Sequence, residues 1–514
     1  MSTGAHPERA RQKMHLYLAS MLTGILSGLV VVAYRSAIGL AEHFKTCLSN
    51  AALASLPMLM AWIASVLLAG GVTSLLVRRS PLIKGSGIPQ VKALLLRRIT
   101  FNWKRELPAK FIGGTLALGA GLSLGREGPS IQLGALVGNA LEELTRRHDY
   151  RRYLVTAGAA AGISAAFNAP LAGVLFCVEE LHRSFSPLML TSTMIASFAA
   201  NAVMWLLFGT EPIFEINITQ VIPLNYYFTV LLVTGVAAGI AGSLFNRGLL
   251  AMQKSYRQLV VSESVRLMIA FAVAALASMF IPDITGGGHH LVSASLLAGK
   301  TGMTLGLLFA GKLLFTLFCY ASGAPGGIFL PMLAIGALLG GIINAVIVSF
   351  GSPFPYLSNL MLLGMTGFFV AVVRAPITGA VLITEMAGNF AHFPAFIFIS
   401  IIASIVAGIL KTKPIYDSLL AQIAPLACED ELQAVSLHIP WFEGAEYRKV
   451  SEIEPYLPAN CVLTGVLREE THLFPDKDLE LCAGDELLVE TTLDRANKTK
   501  EHLLRLCRGK EHDL

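Results

Sequence analysis

Charge is what this sequence has least of. Only 14% of its 514 residues are Asp, Glu, Lys or Arg, against about a quarter in a soluble globular domain. The deficit is concentrated: no charged side chain occurs from Ala52 to Val77, from Tyr153 to Val178, or from Leu313 to Val373. A bilayer crossing needs about 20 consecutive apolar residues, so the last run has room for two or three. Such runs exclude a soluble globular fold and describe a bundle embedded in lipid. Tightly spaced cysteines are also lacking. The seven present (Cys47, Cys177, Cys319, Cys428, Cys461, Cys482 and Cys507) include no CxxC pair, which argues against a disulfide framework or a thiolate metal site and leaves small apolar fillers. No Ser/His/Asp set, metal cluster, phosphate loop or GxGxxG fingerprint stands out, so the sequence gives no support to an enzyme or to a cofactor. The single Asn-x-Ser/Thr match, at Asn217, is too weak a signal for glycosylation.

Where charge does occur, it is ordered. The first apolar run, Leu16 to Tyr34, follows Arg9, Arg11 and Lys13. It is too long for the apolar core of a signal peptide and reads as a retained helix with its N-terminus in the cytoplasm. Further basic clusters at Arg78, Arg79 and Lys84, at Arg97 and Arg98, and at Arg146, Arg147, Arg151 and Arg152 mark cytoplasmic loops by the same rule. Residues 421–514 carry 19 Asp/Glu and 10 Lys/Arg, a net of −9, whereas the whole chain is +5. The asymmetry predicts three parts: a short cytoplasmic N-terminus over 1–14, a basic-edged membrane domain over 15–420, and a soluble acidic tail over 421–514. A nucleic-acid partner is not expected, because the basic charge lies beside lipid-facing runs.

The membrane part repeats itself. GREGPSIQLGALVG at 125–138 matches GIFLPMLAIGALLG at 327–340 through Gly125/Gly327, Pro129/Pro331, Gly134/Gly336 and Gly138/Gly340. NAPLAGVLFCVEE at 168–180 then matches RAPITGAVLITEM at 374–386 through Ala169-Pro170/Ala375-Pro376, Gly173/Gly379 and Glu179/Glu385. The offsets are 202 and 206 residues, so two halves of roughly equal length are related by a duplication, as in many secondary transporters. The letters do not say whether the halves are parallel or inverted. Each first block places a glycine turn and a proline at the start of an apolar helix. Proline suits a first helical turn, and the free N–H groups there, with the helix dipole, attract an anion. A third turn, GSGIP at 85–89, adds a hydroxyl donor, Ser86. Partial charges of this kind hold an anion loosely enough to release it.

With GSGIP at 85–89, GREGP at 125–129, GGIFLP at 326–331 and KPIYDSLL carrying Tyr416 in this order, residues 15–420 resemble the CLC family of chloride channels and antiporters. The resemblance implies an all-α polytopic fold of two inverted repeats, assembled as a homodimer with one pathway per subunit. It implies that Ser86 and Tyr416 offer hydroxyls to a dehydrated chloride, and that Ile328, Phe329, Gly87 and Gly128 offer backbone amides. Glu127 matches the gating glutamate, whose carboxylate occupies an anion site and leaves when protonated; a carboxylate at membrane depth is a functional candidate in its own right. Glu180 resembles the inner glutamate that supplies protons in antiporter members. Because Glu179 pairs with Glu385 while Glu180 faces Met386, the shared residue reads as scaffold. The unshared one, about 100° round a helix, reads as the proton carrier. Nitrate-preferring members carry proline in place of the serine, so Ser86 with Tyr416 implies chloride.

The tail reads as a small α+β domain: β-like runs around Val462, Val466 and Leu473, a polar turn at Pro475-Asp476-Lys477-Asp478, a strand at Leu487 to Val489, and a helix over 494–507. Over about 430–508 it resembles the RCK/TrkA C-terminal regulatory domain, which implies an unknown small ligand; the plain alternative is a folded tail that aids assembly. Neither a CBS pair nor a dinucleotide motif is evident. The expected function is proton-coupled chloride exchange by a multi-pass protein of the inner (plasma) membrane with both termini cytoplasmic. Its partners would be chloride, protons, the lipid bilayer and a second copy of the chain. A passive voltage- or pH-gated chloride channel, and a solute-regulated membrane regulator acting through the tail, are the alternatives. An acidic residue at Glu180 favours the antiporter, since channel-type relatives usually lack one there.

Overall fold

The computed structural model describes residues 5–514 except 97, 146–149, 184–185, 215–223, 293–296, 352–355, 424–433, 443–448, 459–460, 469–470, 474, 476–478, 493–495 and 508–514. Arg97, Arg146, Arg147, Asn217, Cys428 and most of the polar turn at 475–478 therefore lie outside the described residues. Each long uncharged run becomes helix: Leu56–Arg79 from the first, Arg151–Phe167 and Pro170–Phe176 from the second, and Phe329–Ser349 and Leu357–Val373 from the third. Eight helices among the described residues are long and apolar enough to cross a membrane. The first of them differs from the sequence expectation. It runs from Ala5 to Ala52, 48 residues, because no proline interrupts the chain between Pro7, in its first turn, and Pro57.

Other helices are too short to span. Ile88–Leu95 has 8 residues, Pro170–Phe176 has 7 and Pro376–Ala387 has 12. Each starts with proline in its first turn, where the missing N–H costs nothing.

The repeat is visible in the packing. A methyl on Gly336 would lie 2.6 Å from the carbonyl oxygen of Gly364, and methyls on Gly134, Gly138 and Gly340 would overlap the carbonyls of Gly158, Leu154 and Leu360. The glycines shared by the two blocks thus let Glu127–Thr145 lie against Arg151–Phe167, and Phe329–Ser349 against Leu357–Val373, backbone to backbone. The following helices end at Asn168 and Arg374, both left-handed at φ 50° and 69°. The halves meet through equivalent residues. The Gly125 N–H donates to the Gly327 carbonyl at 2.6 Å and the Gly327 N–H returns the bond to Gly125 at 2.7 Å. Such a reciprocal antiparallel pair of equivalent residues requires a local two-fold axis relating the halves.

The tail forms an antiparallel four-stranded sheet in the order β1–β4–β2–β3, from β1 Ala434–Pro440, β2 Val462–Arg468, β3 Thr471–Leu473 and β4 Glu486–Thr492. Helix Ala496–Cys507 covers it, and Ile439, Val466, Leu487, Val489, Leu503 and Leu506 are buried together. Asp485, fully buried, takes Arg468 at 2.6 Å and the Cys482 N–H at 2.8 Å, which fixes the turn into β4. Strand β1 went unread in the sequence.

Candidate anion and proton sites

The three glycine turns converge. Gly85 and Gly87 take left-handed φ of 61° and 91°, which L side chains rarely adopt, and bracket Ser86. The Gly85 N–H donates to Ala324 at 3.2 Å and the Gly326 N–H to Gly85 at 3.0 Å. The reciprocal pair of Gly125 and Gly327 joins the other two turns. A methyl on Gly128 would lie 2.8 Å from the Ser86 carbonyl oxygen, and one on Gly327 would lie 3.1 Å from the Gly128 nitrogen. The starts of Ile88–Leu95, Glu127–Thr145 and Phe329–Ser349 therefore face one small volume. Their first-turn N–H groups, from Gly87, Gly128, Ile328 and Phe329, have no intrahelical acceptor.

Two buried lysines hold the turns in place. Lys110 Nζ donates to the carbonyls of Ile83 and Gly85 at 2.8 and 2.7 Å. Lys312, 202 residues on, donates to Ile284 and Gly286 at 3.0 and 2.7 Å. Gly286 and Gly288 repeat the left-handed pattern at φ 61° and 86°. The duplication thus extends to GSGIP itself, with Gly287 standing where the first half has Ser86. Neither lysine was singled out in the sequence, although their 202-residue offset was there to find.

Glu127 opens its helix and is 1% exposed; Tyr416 is 0% exposed. Glu127 Oε2 and the Tyr416 hydroxyl are buried without a protein hydrogen-bond partner among the described residues. Burial of a polar group without a partner costs about 1–3 kcal/mol, so both positions suit groups that exchange partners. Ser86 Oγ accepts from the Ile88 N–H at 3.4 Å. Tyr416 stacks edge-on to Phe176 at 6.4 Å, which reaches Phe329 at 6.2 Å; Phe329 in turn packs on Phe167 and Phe369 at 4.8 Å each. This aromatic cluster walls the convergence point with apolar surface.

Glu179 and Glu180 point to different places from a π-helical turn, Cys177–His182. Glu179 accepts from the N–H groups of Ile377 and Thr378 at 3.2 and 2.7 Å and from the Thr378 hydroxyl at 2.7 Å. Its repeat partner Glu385 accepts from Leu171 and Ala172 at 3.0 and 2.8 Å. Each half caps a helix of the other. Glu180, 1% exposed, instead meets Lys92 Nζ at 3.0 Å. Lys92 also holds Asp417 at 2.6 Å, and Asp417 takes Arg183 on its other oxygen. Lys92 lies in the last turn of the helix that follows Ser86, Ile88–Leu95, and Asp417 follows Tyr416. This ion-pair cluster is therefore joined to both hydroxyl-bearing elements. Sequence reading missed Lys92 and Asp417, whose only signal was charge inside otherwise apolar helices. His182 turns away to Thr156 at 2.6 Å and Arg152 at 3.1 Å.

Comparison with known proteins agrees with this geometry. Residues 65–408 match the family model described as voltage gated chloride channel. The H(+)/Cl(−) exchange transporter ClcA of Vibrio vulnificus (strain YJ016) is 35% identical over 418 residues, covering 79% of this chain and 89% of that protein. The crystal structure of a slow cyanobacterial Cl−/H+ antiporter is similar at a TM-score of 0.75 with 31% identity, covering 80% of this chain and 98% of that one. That of a CLC-type fluoride/proton antiporter is similar at 0.66 with 25% identity, covering 78% and 97%.

Proposed function

The chain belongs to the voltage gated chloride channel family, and on that premise we propose that it exchanges chloride for protons across a membrane. The observation that carries the reading is the separation of two buried carboxylates. Glu127 lies at the convergence of the glycine turns, and Glu180 lies in the Lys92–Asp417 cluster. A passive anion pathway has no use for the second.

Chloride is held by the hydroxyls of Ser86 and Tyr416 and by the amides of Ile328, Phe329, Gly87 and Gly128. No full cation is needed, and turnover benefits, because the helix-terminal charges are fractional. The Glu127 carboxylate competes for the same amides. When protonated it loses its charge and with it its claim on them, so an anion takes its place. The proton reaches Glu127 from Glu180 by a route apart from the chloride path. Protons and anions then meet at Glu127 alone, which obliges them to move in opposite directions. Relatives named as H(+)/Cl(−) exchangers support this over a channel.

The same reading places the protein in a bacterial-type inner membrane as a homodimer with a pathway in each subunit. The basic residues at the Lys84 and Arg183 ends and both termini face the cytoplasm. The transport unit spans about 15–420, and the acidic tail is a regulatory RCK/TrkA-C-like domain over about 430–508 that takes a small ligand. The test is flux in sealed vesicles: under an imposed chloride gradient, chloride and proton are followed on one preparation. Uphill proton movement supports exchange. Chloride movement without protons overturns it in favour of the passive channel.

A further inference from the structure

Glu180 does not face its surroundings alone. Lys92 from Ile88–Leu95, Asp417 and Tyr416 from Ile415–Ile423, and Arg183 from its own segment all face it, while Arg152 from Arg151–Phe167 reaches His182 instead. Lys92 divides its ammonium between two carboxylates, Asp417 at 2.6 Å and Glu180 at 3.0 Å. Asp417 is also held by Arg183. Two cations therefore share two acids, and the acid with two cationic partners is Asp417. Glu180 has a direct ion pair only with the shared Lys92 and meets Arg183 at longer range. These four side chains sum to zero charge when Glu180 is ionised and to a single positive charge when it is protonated.

Without the Asp417 charge the balance fails. Lys92 and Arg183 would both act on Glu180, and a carboxylate facing two cations gives up its charge with difficulty. From this geometry we propose that Asp417 is a positioning residue for proton transfer: by engaging Lys92 and Arg183 it leaves Glu180 able to gain and lose a proton. The step is a proton passing from water to a Glu180 carboxylate oxygen and onward, with no other bond made or broken. The inference rests on the exchange reading above and adds a residue to it.

The test uses the full chain in sealed vesicles, with proton uptake under a chloride gradient and chloride flux both measured from pH 5 to 8. Asp417→Asn is expected to lower proton uptake at pH 7 about tenfold and to displace its pH profile about one unit to the acid side, while chloride flux continues. Adding Lys92→Gln removes the surplus cation, so the double variant recovers uptake to within about threefold of the unmodified protein, a rescue that mere structural damage would not give. Asp417→Glu keeps the charge and the original profile. Lys92→Gln alone displaces the profile to the alkaline side, which gives a reading even if Asp417→Asn does not fold. Normal uptake and profile in Asp417→Asn, no rescue in a double variant that still passes chloride, or an unmoved profile in Lys92→Gln each overturns the role of Asp417 and leaves exchange standing. Absence of proton movement in the unmodified protein overturns the exchange reading itself.

Discussion

Adjacent glutamates with different tasks give the sharpest test of the architecture. Glu179 receives two backbone N–H groups and one hydroxyl from the first turn of Pro376–Ala387, at 3.2, 2.7 and 2.7 Å. Glu385 receives two N–H groups from Pro170–Phe176. Replacing either by Gln keeps one acceptor oxygen but removes the charge and turns an NH2 toward a donor. A charged hydrogen bond is worth about 1.5–3 kcal/mol and a charge at a helix N-terminus about 0.3–2 kcal/mol. With half the acceptors kept, Glu179→Gln and Glu385→Gln should each cost about 2 kcal/mol, and by similar amounts because the caps are related by the local two-fold axis. The expected readout is a loss of a few degrees in thermal midpoint for each in detergent, with proton coupling retained in vesicles. Glu180→Gln keeps size and hydrogen bonding but cannot carry a proton by titration. It should leave chloride flux largely intact and abolish chloride-driven proton movement. Loss of coupling in Glu179→Gln without loss of thermal midpoint, together with normal proton uptake in Glu180→Gln, would show the two roles to be reversed.

Four further outcomes are expected. Glu127→Gln, a permanent mimic of the protonated carboxyl, should keep anion movement and lose proton coupling; uphill proton pumping by this variant would refute the gating role. Ser86→Pro removes a hydroxyl donor and should raise nitrate relative to chloride in paired flux assays, so an unchanged ratio counts against Ser86 as an anion ligand. Gly340→Ala drives a methyl into the Leu360 carbonyl and should cost about 1–3 kcal/mol, whereas Gly39→Ala, with nothing within 4 Å, should be neutral or slightly stabilising; equal thermal midpoints for the two would argue that the close helix pairing is dispensable. A chain ending at Leu426 should keep coupled transport, and complete loss of flux from a folded protein of that length would make the tail essential.

Much of this was legible in the letters because membrane burial writes itself into composition. A span must be apolar for its whole length, so charge-free runs marked the helices. A glycine where two backbones touch cannot drift without a clash, so the duplication survived as matched glycines at 134/336 and 138/340. The separation of Glu179 from Glu180 was also legible, since only the first has a repeat partner, and the reciprocal caps now give its physical reason. The first helix was read too short, because apolarity ends at the bilayer edge while helix propensity does not. Strand β1 was missed because seven residues of mixed character carry little periodic signal.

The sequence by itself determined that the chain is embedded in lipid, is built from two related halves and places glycine–proline helix starts where an anion could bind; each is a local requirement on residue type. The tertiary structure alone decided the rest. That a local two-fold axis relates the halves follows from the reciprocal bonds of Gly125 and Gly327, because a duplicated sequence does not record how its copies sit together. That Lys92, Glu180 and Asp417 form one cluster depends on bringing together positions up to 325 residues apart. An ion pair is set by distance in space, and no spacing along the chain records it.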